Sequence, residues 1–157
     1  MTEVDVIAQL TYQRERTHDL WADVMPLLQA HWTEVGEERL DIDVVKINMM
    51  EDIGAFRCFT VRERGKLVGY AFYVVDTSLM QKTRLIAHES GLFLVKEARR
   101  GHTCERLLKF AESSLKAEGV EEIIRQMLVS RQEVEVLFSR MGYTLHEKLY
   151  TKALKET

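Results

Sequence analysis

The stretch LFLVKEARRGHTCERLLKFAE, residues 92–112, passes from an apolar strand pattern into an amphipathic helix pattern through a basic turn, residues 96–102. The turn contains Arg99, Arg100, Gly101 and His102. A helix N-terminus presents unpaired N–H groups and the positive end of the helix dipole, so this turn can hold a phosphate group. It can equally be a solvated bend between strand and helix. Because short motifs often match by chance, the turn alone favours the bend.

Outward from this stretch, apolar periodicity predicts alternating strands and helices within one domain, residues 1–157. The predicted strands are 4–12, 56–63, 66–76, 84–95 and 121–129; the predicted helices are one from Thr17, then 41–54, 101–118 and one around 134–141, before a closing hairpin at 143–154. The order β-α-α-β-β-β-α-β-α-β-β is typical of a mixed α/β sheet with one right-handed strand-helix-strand crossover.

Cap and turn residues refine this outline. Thr17 is the expected N-cap of the first helix. Pro26 falls inside the apolar pattern of that helix, so a kink or a restart is expected there. Arg64-Gly65 predicts a hairpin turn, and Gly91 predicts a β-bulge in the strand before the basic turn.

Composition and charge limit the classes of partner. Hydrophobic residues make up 46% of the chain and charged ones 30%, as in a folded globular protein. The net charge of −3 gives no general attraction to nucleic acid or to an anionic membrane. Residues 1–60 carry 12 acidic and 5 basic side chains, whereas residues 61–157 carry 13 acidic and 17 basic ones. The basic turn therefore favours a small anion as partner over a long polyanion.

Residue usage also bears on location and on metal binding. The two cysteines, Cys58 and Cys104, show no pairing pattern, so a reducing cytoplasm is expected. The N-terminal residues do not read as a signal peptide, and no apolar run approaches the roughly 20 residues of a membrane-spanning helix. The five histidines and two cysteines lack metal-ligand spacing, so no metal is expected.

A family resemblance joins these features. Residues 92–112, the segment GVEEII (119–124) and the segment LFSRMGY (137–143) resemble the GNAT superfamily of N-acetyltransferases, and most of all its bacteriophage-encoded members. The order of strands and helices is similar along nearly the whole chain. The resemblance implies a mostly antiparallel sheet with a splayed central pair of parallel strands. It also implies acetyl-CoA as cosubstrate, with its pyrophosphate on the basic turn.

In the family this turn reads Arg/Gln-x-x-Gly-x-Gly/Ala. The matching residues here are Arg99, Arg100, Gly101, His102, Thr103 and Cys104. His102 and Cys104 stand where the family has glycine and glycine or alanine, and Gly101 comes one position early. Ser130 stands where many members carry an asparagine; it is expected to contact the pantetheine or, the favoured role, to cap the next helix. Phe138 takes the place of the tyrosine that often protonates the leaving thiolate.

By the same resemblance, the pantetheine arm of CoA lies beside the strand that precedes the turn. There it pairs like an extra strand with the amides and carbonyls of Leu92, Leu94 and Val95. A backbone N–H near Phe93 or Leu94 is the expected donor to the oxyanion. The segment GLFLV (91–95) also reads as a buried core strand, and the two roles are compatible.

His88 and Glu89 are the candidates for the base that removes the proton of the acceptor amine. They lie ten or eleven residues before Arg99, about where the family places its base. Side chains alternate along a strand, so only one of the two can face a substrate over the sheet. Glu89 is preferred because acidic bases are commoner in the family, whereas a histidine side chain titrates near neutrality. Each can equally be a hydrogen-bonded strand residue without a catalytic role.

The resemblance implies an N-acetyltransferase that moves an acetyl group from acetyl-CoA directly to an amine. The acceptor is a small molecule or a protein lysine or N-terminus, and the acidic residues 1–60 favour a cationic one. The alternative is a GNAT-fold module without catalysis that binds CoA or another protein; His102, Cys104 and Phe138 favour it. Neither a nucleic acid nor a membrane partner is expected. A homodimer is a further expectation, because symmetric dimers are common.

Overall fold

The computed structural model of the chain describes residues 2–5, 9–36, 39–128 and 131–154. The chain divides into two compact units, residues 1–126 and residues 127–157, and each is described by itself. Among the described residues, none of the helices combines the length and the apolar character needed to cross a membrane.

The first unit is built on one sheet of six strands. The strands are β1 (Thr2–Asp5), β2 (Leu10–Glu15), β3 (Phe56–Glu63), β4 (Lys66–Ser78), β5 (Gln81–Leu94) and β6 (Glu122–Ile124). They lie side by side in chain order, and all neighbours are antiparallel except β5 and β6, which are parallel. The predicted mixed, mostly antiparallel α/β sheet is therefore confirmed.

Helices cover both faces of this sheet. They are α1 (Thr17–Glu34), α2 (Val44–Asp52) and α3 (Thr103–Ala117), all of the first unit. The second unit, described by itself, contains α4 (Gln132–Arg140). A short 3-10 turn, Lys96–Ala98, lies between β5 and α3. We call the face under α1 and α2 the α1 face and the opposite face the α3 face.

Apolar side chains hold the helices to the sheet. On the α1 face, leucines and a valine of α1 pack against aromatic residues of β3, β4 and β5: Leu20, Val24, Leu27, Leu28, Phe56, Tyr70, Phe72 and Phe93. On the α3 face, the Phe110 ring meets Phe59 edge-on at 6.1 Å, and Phe59 meets Tyr73 at 5.7 Å. Full burial of such a side chain contributes roughly 1.5–3 kcal/mol, so these layers fix α1 and α3 over the sheet.

The start of α1 is capped by a side chain from α2. The Glu51 carboxylate accepts hydrogen bonds from the backbone N–H of Thr17 at 3.0 Å and from its hydroxyl at 2.9 Å. A carboxylate in this position is also favoured by the helix dipole. Thr17 is the first residue of α1, so its predicted N-cap role is wrong. The helix continues through Pro26, and the predicted restart does not occur.

Local turn chemistry is confirmed between β3 and β4. Arg64 and Gly65 join the two strands with φ values of 49° and 82°. Positive φ at both central residues is the conformation of a type I′ hairpin, whose twist matches that of the flanking strands.

Three strand predictions differ from the structure. The single strand predicted at 4–12 is two antiparallel strands, β1 and β2, and residues 6–8 lie outside the described residues. The strand predicted at 121–129 is limited to Glu122–Ile124, and residue 129 also lies outside. The closing hairpin predicted at 143–154 is wrong, because those residues contain no strand. Alternating apolar residues do not form a ladder without a partner strand.

Candidate active site

β5 and β6 part from each other and form a fork. The last pair of their parallel ladder is His88 with Ile124. β6 ends there, whereas β5 continues to Leu94. Among the described residues, the edge of β5 that faces β6 therefore has no strand partner beyond His88.

The backbone groups of Leu92 and Leu94 face the open side of the fork. At the end of β5, the Val95 N–H donates to the Val68 carbonyl, on β4, at 2.9 Å. Hydrogen-bonding direction alternates from residue to residue in an antiparallel pair. Phe93 therefore also turns its backbone to β4, and Leu92 and Leu94 turn theirs to the fork. Main-chain groups along such an edge can pair with an extended ligand.

Two of the predicted backbone contacts need correction. The Val95 N–H is engaged by β4, and the Val95 carbonyl accepts the N–H of Ala98 at 2.9 Å. Val95 is therefore not a partner for the pantetheine. Of the two expected oxyanion donors, Phe93 turns its N–H to β4, and Leu94 turns its N–H to the open edge. Leu92 keeps its predicted place on the edge of the fork.

A β-bulge lies immediately beyond the fork point. Tyr73 of β4 pairs with Glu89, and the adjacent Phe72 pairs with Gly91. Ser90 is thus the extra residue on β5. The predicted bulge is confirmed, but Ser90 is inserted in place of Gly91. The insertion reverses the edge that the following residues face, and for this reason Leu92 points its backbone into the fork.

His88 and Glu89 lie at the fork on opposite faces of the sheet, as the alternation predicts. His88 opposes Val74 on the α1 face and is exposed. Glu89 opposes Tyr73 on the α3 face, and its side chain is 5% exposed. Of the two candidate bases, His88 is the one that reaches solvent beside the fork.

Glu89 forms a buried ion pair with Arg125, the residue immediately after β6. The Arg125 side chain is 1% exposed, and its Nη2 lies 3.5 Å from Oε1 of Glu112 in α3. Its guanidinium carbon lies 5.5 Å from the centre of the Tyr73 ring. Burial raises the pKa of the Glu89 carboxyl, and Arg125 opposes this rise without cancelling it. The Glu89 carboxylate is thus held beneath the sheet, away from the α1 face.

Arg125 is a site residue that the sequence patterns did not identify. The sequence feature that could have identified Arg125 is its position as a charged residue inside the apolar pattern IIRQML, residues 123–128. A buried charge needs a partner, because an unpaired one is strongly unfavourable in the interior. The sequence alone does not say that the partner is Glu89.

Both arginines of the basic turn bind carboxylates of other elements. Arg99 donates from Nη1 and Nη2 to the Glu34 carboxylate of α1 at 2.8 and 2.6 Å. Its Nε donates to the Leu94 carbonyl at 2.8 Å. Arg100 forms an ion pair with Glu63 at the end of β3. The two guanidiniums lie beside the turn, as predicted, but both are already paired.

The backbone of the turn leaves the start of α3 open. Gly101 has a φ of 55°, and no atom lies within 4 Å of the place a Cβ would take. The N–H of Arg106 donates to the His102 carbonyl at 2.9 Å, the first i→i−4 bond of the helix. The N–H groups before it belong to the helix N-terminus. The His102 side chain is 68% exposed and turns to Glu105, with Nδ1 3.1 Å from Oε2.

The remaining predicted residues are Thr103, Cys104, Ser130 and Phe138. Thr103 is buried, and its hydroxyl donates to the Arg100 carbonyl at 2.9 Å. Burial raises the pKa of Cys104 to about 11, so this thiol is a packing residue. Ser130 lies outside the described residues, and its contact stays a prediction. In the second unit, Phe138 packs on Tyr143 with ring centroids 5.6 Å apart. The described residues include no group of three His, Cys, Asp or Glu side chains placed to hold a metal ion.

Sequence comparison assigns the chain to a family. The model of the acetyltransferase (GNAT) family matches residues 21–143, a range that contains the fork, the basic turn and α3. The chain belongs to the GNAT acetyltransferase family. A search of curated proteins found no significant match to the sequence.

Solved acetyltransferases of the GNAT fold superpose on nearly all of this chain. An aminoglycoside acetyltransferase from an uncultured soil metagenomic sample, in complex with sisomicin, has a TM-score of 0.78 and 15% identity over 98% of this chain and 100% of that chain. A ribosomal-protein-alanine N-acetyltransferase from Brucella melitensis biovar Abortus 2308 has a TM-score of 0.73 and 10% identity, with 93% and 99% covered. A predicted acetyltransferase with acetyl-CoA from Clostridium acetobutylicum has a TM-score of 0.74 and 13% identity, with 92% and 96% covered. At these identities the likeness shows the fold.

Membership in the GNAT family confirms the predicted fold and enzyme class. The chain is an N-acetyltransferase of GNAT type, as the resemblance of the turn and the helix pattern implied. The splayed pair of parallel strands expected for a GNAT protein is β5 and β6, and its point of divergence is the pair His88 and Ile124.

Proposed function

We propose that this GNAT protein transfers an acetyl group from acetyl-CoA directly to an amine, with His88 as the base. The observation that carries the proposal is the fork, where the ladder of β5 and β6 ends at His88 and Ile124. Its open edge presents the backbone of Leu92 and the N–H of Leu94 to an extended pantetheine arm, which can pair there as an added strand. The Leu94 carbonyl is already bound by Arg99 Nε. The exposed His88 stands at the closed end of this edge, on the α1 face.

The basic turn supports the diphosphate end of the same cosubstrate. Gly101 allows close approach of a ligand to the backbone, and the N-terminus of α3 favours an anion. Arg99 and Arg100 are held by exposed or partly exposed ion pairs with Glu34 and Glu63. Such pairs contribute about 0–1 kcal/mol, so a diphosphate, with its larger charge, can compete for both guanidiniums. The residues of the basic turn therefore fit the diphosphate of acetyl-CoA.

Direct transfer assigns a task to each part of the fork. The acceptor nitrogen attacks the thioester carbonyl carbon, so that a C–N bond forms and the C–S bond breaks. The proton of that nitrogen passes to the His88 imidazole. The donor to the oxygen on which negative charge develops must be a backbone N–H of the open edge close to His88. Leu92 meets this requirement, whereas Leu94 lies six residues, roughly 20 Å, along the strand from His88. The leaving thiolate takes a proton from solvent, because Phe138 has none to give.

His88 is preferred over Glu89 on the geometry of the fork. A base must come within hydrogen-bonding reach of the proton that it removes. His88 is exposed on the α1 face, whereas Glu89 is bound to Arg125 on the α3 face. The family preference for acidic bases is thus outweighed by where the two side chains lie.

The acceptor is proposed as a cationic amine, on a small molecule or on a protein lysine or N-terminus. The excess of acidic side chains in residues 1–60 supports a cation. The named structural neighbours act on both types of amine, since one is an aminoglycoside acetyltransferase and another a ribosomal-protein-alanine N-acetyltransferase. The proposed place of action is the cytoplasm, and that of a bacterial host if the resemblance to phage-encoded members holds. A homodimer stays a prediction.

The paired arginines favour a second candidate function, a GNAT-fold module without catalysis. If Arg99 and Arg100 serve only to join the turn to α1 and β3, then the carboxylates of Glu34 and Glu63 keep them from any diphosphate. The module would then act through protein contacts or bind CoA without turnover.

Thermal unfolding with acetyl-CoA and with acetyl-pantetheine separates these functions. A ligand at 100 times its Kd stabilises the folded state by about 2.7 kcal/mol. We expect a clear rise in Tm with acetyl-CoA and a smaller one with acetyl-pantetheine, which fills the fork but lacks the diphosphate. Release of free thiol should follow when amines are added from a panel of lysine peptides, polyamines and aminoglycosides. No rise in Tm at millimolar acetyl-CoA contradicts the proposal, and a rise without turnover supports the silent module.

A further inference from the structure

The two strands of the fork are joined by side chains at the point where their backbones part. His88 and Ile124 form the last pair of the ladder, and the next residue on each strand is Glu89 and Arg125. These two residues form the ion pair on the α3 face. A side-chain link thus takes over where the main-chain hydrogen bonds of the ladder stop.

The side chains of Glu89 and Arg125 are more buried than their main chains. The side chains of Glu89 and Arg125 are 5% and 1% exposed, yet both residues as a whole are only partly buried. The exposed part is therefore the backbone, at the open side of the fork. The charges lie beneath it, sealed under α3.

Arg125 connects the segment after β6 to three other elements. It reaches Glu89 of β5, approaches Glu112 of α3 at 3.5 Å, and lies 5.5 Å from the Tyr73 ring of β4. Tyr73 is itself the β4 partner of Glu89. The guanidinium therefore fixes the wall of the fork that lacks a ladder to the wall that belongs to the sheet.

Stability alone does not account for such a pair. Replacing a buried ion pair by apolar side chains of similar volume is often neutral or stabilising, because the charges no longer have to be desolvated. Buried pairs can instead specify one arrangement of the elements that they join. At this position, the arrangement that is specified is the separation of β5 from the segment after β6.

We propose that Glu89 and Arg125 are positioning residues that set the width of the fork, a role that rests on the proposed use of acetyl-CoA. Neither side chain touches the reacting atoms. Their ion pair fixes residues 124–126 against Glu89, at the point where the open edge of β5 begins. Loss of the pair lets this wall shift, and the cosubstrate then binds more weakly.

A double variant tests the role apart from stability. In Glu89→Leu/Arg125→Met, the pair is replaced by apolar side chains of similar size. We expect the free energy of unfolding to stay near that of the wild type, while the Kd for acetyl-CoA rises about tenfold or more. Hydrogen exchange should become faster at the backbone amides of residues 124–126. Wild-type affinity and exchange in a folded double variant would overturn the proposal.

A second ion pair between the same strands provides a matched control. Arg84 and Glu122 also join β5 to β6, but at the opposite end of the ladder, where Glu122 pairs with Ile86. Their side chains are 40% and 34% exposed. The ladder holds the strands together at that level. Arg84→Met/Glu122→Leu should therefore leave the Kd for acetyl-CoA and the exchange of residues 124–126 unchanged, and a loss as large as that of the test variant would contradict a special role for the fork pair.

Glu89→Gln distinguishes positioning from direct proton removal. Glutamine keeps an oxygen acceptor for Arg125 but cannot act as a base. We expect the Kd for acetyl-CoA and kcat to stay within a few-fold of wild type and the pH profile of kcat to keep its shape. A lost kcat with an unchanged Kd would identify Glu89 as the base and end the positioning role. If the double variant does not fold, Glu89→Asp carries the test: the shorter carboxylate reaches Arg125 less well, so the Kd for acetyl-CoA should rise, and an unchanged Kd would overturn the proposal.

The two proposals fail in different ways. If the wild-type protein binds no acetyl-CoA, the proposed function is wrong. Hydrogen exchange then remains as the test of whether Glu89 and Arg125 hold residues 124–126 in place. Faster exchange at residues 124–126 in Glu89→Leu/Arg125→Met then supports the positioning of this wall by Arg125. Unchanged exchange overturns it.

Discussion

Arg99 and Glu34 tie the turn after β5 to the last residue of α1 through two parallel hydrogen bonds, of 2.8 and 2.6 Å. One end of this pair belongs to the predicted diphosphate site, and the other belongs to a helix that covers the α1 face. A guanidinium cannot bind a carboxylate and a diphosphate equally well with the same two nitrogens. Glu34 is therefore expected to compete with the cosubstrate for Arg99.

Glu34→Gln should tighten the binding of acetyl-CoA. The change removes the competing charge, and an exposed or partly exposed ion pair contributes less than about 1 kcal/mol, so the Kd should fall about two- to fivefold. Isothermal titration calorimetry measures the effect. Glu97→Gln removes an exposed carboxylate from the same turn without breaking a bond to Arg99 and serves as the control. Equal effects of the two variants would mean that Glu34 acts only through its negative charge near the site and does not compete directly for Arg99.

His88→Ala should lower kcat while the KM for acetyl-CoA changes little. Loss of a general base reduces rates by about 10²- to 10⁴-fold, and the His88 side chain lies on the α1 face, away from the backbone edge that is proposed to bind the cosubstrate. Steady-state kinetics with a reactive amine acceptor test this. Partial rescue of kcat by added imidazole is the positive control. A variant with wild-type kcat would leave proton removal to solvent.

Local features of this fold were predictable from the sequence, and the partners within the site were not. The hairpin at Arg64-Gly65 and the end of the helix predicted at 101–118 depend on a few neighbouring residues; the hairpin is found, and the helix ends at Ala117. The pair of Glu89 and Arg125, by contrast, spans 36 residues. Apolar periodicity marks which positions are buried, but it does not name the charge that a buried arginine meets. From the sequence, the preference for Glu89 as the base therefore rests only on the fact that acidic bases are commoner in the family.

A single inserted residue decides which backbone groups of β5 face the open edge. Alternation along a regular strand fixes which edge each N–H faces, and a shift by one residue reverses every residue that follows. Ser90 is that insertion, and the sequence marked the neighbouring Gly91. Bulges depend on the register with the partner strand, which no window of this sequence contains. The sequence therefore did not decide whether Leu92 and Leu94 or Phe93 and Val95 turn their backbone to the open edge.

Gly69→Ala should destabilise the sheet. A Cβ at Gly69 would lie 2.9 Å from the Leu94 side chain, from the Phe93 carbonyl and from the Val61 side chain. Backbone cannot give way cheaply, and overpacking of this kind costs about 1–3 kcal/mol. Gly91→Ala is the matched control, because its Cβ would meet the nearest atoms at 3.5 and 3.6 Å. Urea unfolding should separate the two variants, and similar midpoints would contradict the crowding at Gly69.

Both thiols should react slowly in the folded protein. Burial raises the pKa of Cys104 to about 11 and that of Cys58 well above its usual value. Only the thiolate reacts readily with disulfide reagents. At pH 8, DTNB should label the native protein far more slowly than the urea-unfolded protein. A rapid native phase of one thiol would contradict the burial of that cysteine.

Because of Glu15, the free energy of unfolding of the first unit should decrease at acidic pH. Its carboxylate accepts hydrogen bonds from Arg62 Nε at 2.9 Å and Nη2 at 3.0 Å, and from the Thr60 hydroxyl. Burial by itself raises the pKa of Glu15, but hydrogen bonds from Arg62, Thr60 and Gln13 outweigh it and lower the pKa below its usual value. The folded state therefore binds this proton more weakly than the unfolded chain. The stabilisation is complete above the usual glutamate pKa of about 4.3 and is lost as the pH falls through the lower, folded value.

Glu15→Gln removes this dependence. Hydrogen bonds to a charged group contribute roughly 1.5–3 kcal/mol, so the variant should be less stable than wild type by up to that amount at pH 7. The difference should shrink as the pH is lowered below about 4, because the wild-type carboxylate is then protonated as well. Urea unfolding at several pH values gives both curves. Parallel curves for wild type and variant would mean that Glu15 has the same pKa in the folded and unfolded states, against the bonds that it makes with Arg62 and Thr60.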